Sequence, residues 1–503
     1  MAILMMVLFG LSIPKDAYGL TWQIPPVNFV PSPHSGGTRD ISLAASPSGN
    51  AFSAYFDVST NTLSVSRFSN ALQTYEPPVT ISSGDSVNVI SVATDASETA
   101  LLIWQDQTLN QILSSFFNGT SWITPLPTPL DSVPASFSAF PKVVMNGLGN
   151  GLAAWSRENG VTPPGDIVVS FFSGATQAWG PLQILNPLGT GGEDPVVAYS
   201  SNGTAVAVWI DGSSNLIASH FNGTSWSTIP VIVAANATLL TQSVQIDSAG
   251  TALVMWTDSV TGDAFASFFN GVNWEAPVDV STVPTFGNVS FAMAPAGTAI
   301  AVWSDGTNGF YSQFIGGSWT APIMFATNAD NTSVAVDSSG NALIAWDDFS
   351  VDQSFSIFKP FGGALGTPDP INMTTTELSV RLTALSDNQR GFVDGFSNIS
   401  EGEGFSGTFT LLPSPIVITA KTCKNKFVSQ TDCVNIISWT PIADSAIVAY
   451  NLSKNGVLIA VIPVSGPFTF FDHYNCCKKV NTYSITPVDA SGTEGPSATI
   501  VVK

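Results

Sequence analysis

Six acidic residues stand two positions after an aromatic anchor in successive segments of this chain. Asp57 follows Tyr55, while Asp106, Asp211, Asp258, Asp305 and Asp348 follow Trp104, Trp209, Trp256, Trp303 and Trp346. In one further segment Arg157 takes the same place after Trp155. Carboxylates repeated at one position of a repeated unit offer two chemistries. Gathered on one face, they would hold calcium or another hard cation, which needs clustered oxygen ligands, or a basic ligand. Spread one per turn, each would accept backbone N–H groups, as Asp does in tight loops. Turn capping is the expected role, with the cation or basic-ligand site as the alternative. The opposite charge is scarce: Arg39, Arg157 and Arg381 are the arginines placed to share that face, and together they would suit a carboxylate, which a guanidinium grips in bidentate fashion.

Other chemistries lack material. The three histidines, His34, His220 and His473, fall in separate segments, so neither a His-based triad nor a His-rich metal site can be assembled from neighbours. No GxSxG elbow, HExxH helix or phosphate loop occurs. The stretches DASE at Asp95, DSAG at Asp247 and DSSG at Asp337 lack the continuing ligand series and distal Glu of a calcium-binding helix-loop-helix, and read as hairpin turns. No resident cofactor is expected, calcium apart. Charge is segregated: residues 22–411 hold 30 acids against 7 bases, a net of −23, whereas residues 412–503 hold 5 against 7, a net of +2. So acidic a region repels phosphate backbones, which argues against nucleic acid as a partner and favours cations and basic surfaces.

The elements that position these residues recur. Successive anchors from Tyr55 to Trp346 lie 49, 51, 54, 47, 47 and 43 residues apart, so seven copies of one supersecondary unit run through the chain. In residues 243–281 apolar residues alternate with small or polar ones in short runs broken by Gly, Asn, Asp and Pro, a period of two that predicts strands. Four strands fit one repeat: SVQID, TALVMWT, AFASFF and WEAPVDV. A four-stranded meander of this length is a propeller blade, and the absence of helical periodicity excludes helical solenoids. The anchor Trp and a second set, Trp122, Trp179, Trp226, Trp274 and Trp319 with Tyr75, are expected to pack between blades, a sugar-stacking platform being the alternative. LTWQIPPV near Leu20 matches the fourth-strand pattern yet precedes the first repeat, and residues 378–412 supply three degenerate strands. Joined, they complete a composite blade. The expected fold is all-β: an eight-bladed β-propeller, or a seven-bladed one if the degenerate repeat is a linker, closed by the N-terminal strand.

The N-terminal run MAILMMVLFGLSI and the small-x-small site at Ala17 to Gly19 read as a signal peptide over residues 1–19, with a membrane anchor as the alternative. The propeller is then 20–411. From residue 412 the repeat stops and the four cysteines appear. VNIISWTPIADSAIVAYNLSKNGVLIAVIP, with Trp439 and Tyr450, resembles the second to fourth strands of a fibronectin type III domain, and TYSITPVDASGTEGPSATIVV resembles its sixth and seventh. That resemblance implies a β-sandwich over 412–503 acting as spacer or attachment. The NGTSW-type turns at Asn118, Asn222 and Asn270 resemble the Asp-box of sialidase-like propellers, except that Gly follows Asn directly; the many Trp are lectin-like. The combined expectation is an exported, monomeric, non-enzymatic binding protein whose propeller face meets a surface protein or glycan. A carbohydrate-binding lectin and a sialidase-like glycosidase are the alternatives.

In a fibronectin-like sandwich Cys423 and Cys433 approach Cys476 and Cys477, and adjacent cysteines seldom bond to each other. Export favours oxidation over a four-thiolate zinc site. Peptide mapping without reductant should therefore find two cross-links, each joining one of Cys423 and Cys433 to one of Cys476 and Cys477; four free thiols would refute this.

Overall fold

The computed structural model describes residues 18–22 and 38–502, apart from 59, 73, 85, 124–128, 132–136, 159–164, 187–189, 239–240, 352, 372–377, 388–389, 398–402, 414–417, 428–429, 440, 442–446, 475–479 and 490–497. It divides into two compact units, one of residues 22–363 and 368–410, the other of 1–21, 364–367 and 411–503. The expected signal peptide thus lies largely outside the described residues. The first strand, Tyr18–Trp22, begins two positions before the expected mature start at Leu20. Among the described residues no helix is long and apolar enough to cross a membrane.

The repeats fold into antiparallel sheets of four or five strands, eight of them among the described residues. Seven are meanders taken in chain order. The eighth runs Tyr18–Trp22, Glu403–Pro413, Arg390–Ser397, Leu378–Leu385, which is the composite expected from the termini. Such repeated four-stranded sheets fit the blades of a β-propeller. The first strand of each sheet packs against the first strand of the next, from Thr38–Ala45 through to Leu378–Leu385, and the last returns to the first.

Alternation explains the ring. In the seven chain-order meanders the second strand is buried on both faces, so its odd and even residues serve different neighbours. Leu102 and Trp104 pack with Phe52, Ala54 and Phe56 of the sheet before, while Leu101 and Ile103 pack with Ala153, Trp155 and Val168 of the sheet after. The same exchange places Trp209, Trp256 and Trp303 at the next three junctions, with Trp226, Trp274 and Trp319 beside them. The anchor Trp are buried in these cores, and the fourth-strand Trp pack half-buried against them. At the closing junction Phe392 and Ala384 of the eighth sheet meet Phe68, Ala51 and Tyr75 of the first, with the Phe68 and Phe392 rings edge to face at 5.3 Å.

Inner strands of different sheets share no ladder, and a hydroxyl bridges them instead. Val92, Val143 and Val334 donate their backbone N–H to Ser42, Ser91 and Ser290 Oγ at the first, second and sixth junctions, at 3.0–3.1 Å. On the opposite end of the sheets the hairpin turns interlock. Gly250 has φ 89° and a Cβ there would lie 2.7 Å from Thr204 Oγ1 of the preceding sheet, so both conformation and space demand glycine.

One expectation is corrected. The fourth strand is not continuous: Ser318–Trp319 and Ile323–Thr327 pair separately with Asn308–Ile315, and Ala178–Trp179 and Gln183–Ile184 do likewise with Asp166–Ser173. Pro322 and Pro181 lie in the gaps. Proline has no N–H to give the ladder, and on an outermost strand the interruption also blunts an exposed edge.

The smaller unit holds a three-stranded sheet in the order Ile418–Phe427, Gln430–Trp439, Thr469–Tyr474 and a four-stranded sheet in the order Val457–Pro463, Ile447–Lys454, Asn481–Asp489, Ala498–Val502. Trp439, Tyr450, Tyr483, Ile437 and Leu452 fill its core. Cys433 pairs with Tyr474 in the ladder. Cys476 and Cys477 lie outside the described residues, as do the side chains of Cys423 and Cys433.

Closure by the eighth sheet implies that Phe392→Ala costs about 3–5 kcal/mol, the range for a buried aromatic. Deletion of residues 20–30 should lower the melting temperature and induce association through freed edges. A thermal melt with size-exclusion chromatography reads both; unchanged behaviour after the deletion would count against closure by that strand.

Candidate functional site

The six anchor-associated acids sit where the second strand ends, and the turn after each explains its carboxylate. Asp106 Oδ1 accepts the N–H groups of Thr108 and Leu109 at 2.8 and 3.0 Å, and Asp211 those of Ser213 and Asn215 at 2.8 and 2.9 Å. Asp258 accepts from Val260 and Thr261, Asp305 from Thr307 and Asn308, Asp348 from Ser350, and Asp57 from Thr60. Asp57 and Asp106 are buried; the other four are half-buried. Each acid caps its own turn through Oδ1. Among the described residues no group of three or more His, Cys, Asp or Glu is close enough to hold a metal ion.

The same device recurs at the other end. Asp95, Asp247 and Asp337 cap the hairpins between first and second strands, each Oδ1 accepting two N–H groups. Burial raises the Asp337 carboxyl above its ordinary value, against the lowering effect of its hydrogen bonds from Asn341 and Ser339. Asn118, Asn222 and Asn270 cap the turns between third and fourth strands with a following Gly at φ 92–95°. These are Asx turns closed by a glycine.

Arg157 is nearly buried and lies against two carboxylates. Its guanidinium lies 3.6 Å from Asp131 and 3.5 Å from Asp166, and Asp131 also accepts Trp155 Nε1 at 2.7 Å and Ser138 Oγ at 3.1 Å. Arg39 stands on the inner strand of the first sheet and Arg381 on that of the eighth; both side chains lie outside the described residues.

The structure adds features that no motif announced. Register slips between Arg39 and Ile41, Asn88 and Ile90, Ala139 and Lys142, Glu193 and Val196, Phe286 and Ser290, Asp330 and Ser333, and Val380 and Leu382 put a β-bulge in seven inner strands. All lie at the end that carries the anchor acids. Val89, Phe140, Asp194 and Asn331 take φ of 45–55° there, a left-handed conformation that is strained for a β-branched or bulky residue. Polar atoms accompany the bulges. Gln242 Nε2 donates to Asp194 O and Oδ2 at 2.6 and 2.9 Å, and Asn331 Nδ2 to Asp347 Oδ2 at 2.9 Å. Gln105 Nε2, Asp106 Oδ2, Gln242 Oε1 and Thr332 Oγ1 are buried with no hydrogen-bond partner among the described residues. Sequence signals for this collar are faint, because a bulge is a mismatch between two strands and neither shows it alone.

A second feature lies between the fourth and fifth sheets. A groove of about 430 Å³ is lined by His220, Ser227 and Val231–Val233 on one side and by Phe269, Asn273, Trp274 and Glu275 on the other. The His220 ring lies 4.8 Å from that of Phe269, and burial holds its imidazole below the ordinary value. A comparable groove of about 340 Å³ between the sixth and seventh sheets is lined by Phe325, Trp346, Asp348 and Phe355.

No family model matches the chain, and no curated protein matches it. Among solved structures it is similar to a fungal lectin from Aleuria aurantia, described as a six-bladed β-propeller with a novel fucose recognition mode. Identity is 11% over 59% of this chain and 97% of that one, with a TM-score of 0.35. It is similar to a fungal alcohol oxidase in complex with copper, at 13% identity over 96% of this chain and 99% of that one, TM-score 0.43. A Hadza microbial sialidase matches at 14% over 62% and 73%, TM-score 0.33. At such identities and TM-scores none of these bears on what this chain binds or does.

Caps satisfied within their own turns predict that Asp211→Ala, which orphans two N–H groups, costs about 1–2 kcal/mol. They also predict that calcium raises the melting temperature no more than sodium chloride of equal ionic strength. A larger calcium shift, growing with concentration, would restore the cation-site reading.

Proposed function

We infer that the chain is an exported binding protein. Its repeat ring is an eight-bladed β-propeller that offers the anchor-acid face as a ligand platform, followed by a fibronectin type III-like module as spacer or second contact. The observation that carries the platform is the collar: strained bulges and buried polar atoms with no partner among the described residues gather at one end of the inner strands. Strain of this kind costs about 1–3 kcal/mol per residue and persists at ligand clamps and switch regions. Buried donors and acceptors left unmatched by the protein are groups a ligand can match. Net negative charge favours a basic surface as the partner. The export reading rests on the apolar N-terminal run and the cysteines, and the module reading on two sheets of three and four strands around Trp439 and Tyr450.

A lectin is the second reading, and the groove between the fourth and fifth sheets favours it. Its size is that of a small-ligand site, and Trp274 beside Glu275, Asn273 and His220 supplies an apolar ring face with hydrogen-bonding groups around it. A glycosidase is disfavoured by Arg157, whose guanidinium is already held by two carboxylates.

The test is a binding screen of the mature chain against basic surface proteins and free glycans, run beside chromogenic glycosides. The platform reading expects saturable protein binding without turnover, weakened about tenfold or more by Gln242→Ala and Asp194→Ala, a loss on the scale of one buried hydrogen bond. The lectin reading expects sugar binding that the exposed-site variant Glu275→Ala abolishes. Turnover lost on Arg39→Ala or Arg381→Ala would overturn both.

A further inference from the structure

The smaller unit contains a polar cluster that joins its two sheets. Asn435 and Asp472 stand opposite each other on neighbouring strands of the three-stranded sheet, and Lys454 and Tyr483 stand opposite each other on neighbouring strands of the four-stranded sheet. Their side chains meet between the two sheets. Lys454 Nζ donates to Asp472 Oδ2 at 2.5 Å, and the Tyr483 hydroxyl donates to the same oxygen. Asn435 Nδ2 donates to the Tyr483 hydroxyl at 2.9 Å, while Thr422 Oγ1 donates to Asn435 Oδ1 at 2.9 Å. Asn435 and Tyr483 are fully buried, and the Lys454 and Asp472 side chains are 23% and 15% exposed. Lys454 Nζ also lies 5.9 Å from the Tyr483 ring centre.

An ion pair drawn into a sandwich in this way is weak support for stability, because the desolvation cost offsets the attraction. Its chemistry is more informative. A lysine amine is a nucleophile once it has lost a proton in an apolar site, and a neighbouring carboxylate can take that proton. The amide of Asn435 presents the complementary arrangement: a donor on its carbonyl oxygen and a hydroxyl at its nitrogen.

We propose that this module closes an intramolecular amide cross-link between Lys454 Nζ and Asn435 Cγ, with release of ammonia. Asp472 takes one proton from the Lys454 ammonium. The amine attacks Asn435 Cγ, the Nζ–Cγ bond forms, and negative charge develops on Oδ1, where the Thr422 hydroxyl donates. Asp472 passes its proton through the Tyr483 hydroxyl to Nδ2, the Cγ–Nδ2 bond breaks, and ammonia leaves. The freed carboxylate takes the second Nζ proton, which departs with the ammonia as ammonium. Atoms and charge balance, and no oxidant, metal or second molecule takes part. The product joins the strand Gln430–Trp439 of one sheet to the strand Ile447–Lys454 of the other by a bond that unfolding cannot break.

The test is mass spectrometry of the full chain, reduced and denatured, intact and after proteolysis. The wild-type chain is expected to weigh one ammonia less than its sequence and to yield a branched peptide joining the Asn435 and Lys454 segments. Lys454→Arg, which keeps the charge, and Asp472→Asn, which removes the base, are each expected to restore the full mass and the linear peptides. Linear wild-type peptides carrying unlinked Asn435 and Lys454 would overturn the proposal whether or not the variants fold. A branched peptide that persists in Asp472→Asn would overturn the role of Asp472.

Discussion

A sheet with two apolar faces must find a neighbour on each side, and that requirement organises the larger unit. The second strands leave no choice: Leu101 and Ile103 demand one partner, Leu102 and Trp104 another, and the next repeats repeat the demand. A row of such sheets would end in two uncovered faces, each costing about 25 cal/mol for every Å² of apolar surface left in water. Bending the row into a ring removes both ends. The degenerate eighth sheet serves that purpose with Phe392 and Ala384 even though it carries no Trp anchor.

Everything polar is arranged around this stack. Sheet faces given wholly to packing leave the backbone groups of the turns to be satisfied locally, and Asp or Asn at the first turn position does so at both ends of the ring. Outer edges remain the exposed liability. Their strands are cut by Pro181 and Pro322, so that an apolar and accessible rim still offers no long unpaired ladder. The acidic balance follows from the same economy: acids are useful caps in this design, and cations have few places in it. Lys359 illustrates the exception. It occupies the site where Phe314 packs in the sheet before, is buried, and donates to the Gly363 carbonyl oxygen at 3.1 Å.

Where the ring narrows, packing and hydrogen bonding stop agreeing. The inner strands lie against one another without pairing, so each must bend into its neighbour's space, and bulges supply the bend. Strain at Val89 and Phe140 and unmatched polar atoms at Gln105 and Gln242 are the local consequence. The smaller unit solves a different problem. Its two sheets have only one face each to bury, and the Lys454, Asp472, Tyr483 and Asn435 cluster occupies the margin of that core.

The sequence by itself determined what depends on near neighbours. The repeat period, the four-strand unit, the Trp packing positions and the Asp and Asn turn caps were legible because alternation and turn chemistry act over a few residues. So was the composite eighth sheet, since LTWQIPPV carries the pattern that residues 378–412 lack. Tertiary structure decided what depends on distant partners. Asp57 and Asp106 are buried whereas the four acids at the same repeat position are half-buried, a difference their shared motif does not carry. Arg157 is held because Asp131, from the preceding repeat, reaches it. The inner bulges arise from the mismatch of strand pairs, and the groove at His220 and Trp274 from the spacing of two sheets. Lys454 and Asn435 looked like ordinary strand residues until two sheets linked them through Asp472 and Tyr483. A side chain's immediate neighbours along the chain set its conformation, but its charge, exposure and reactivity are set by whatever the fold packs against it.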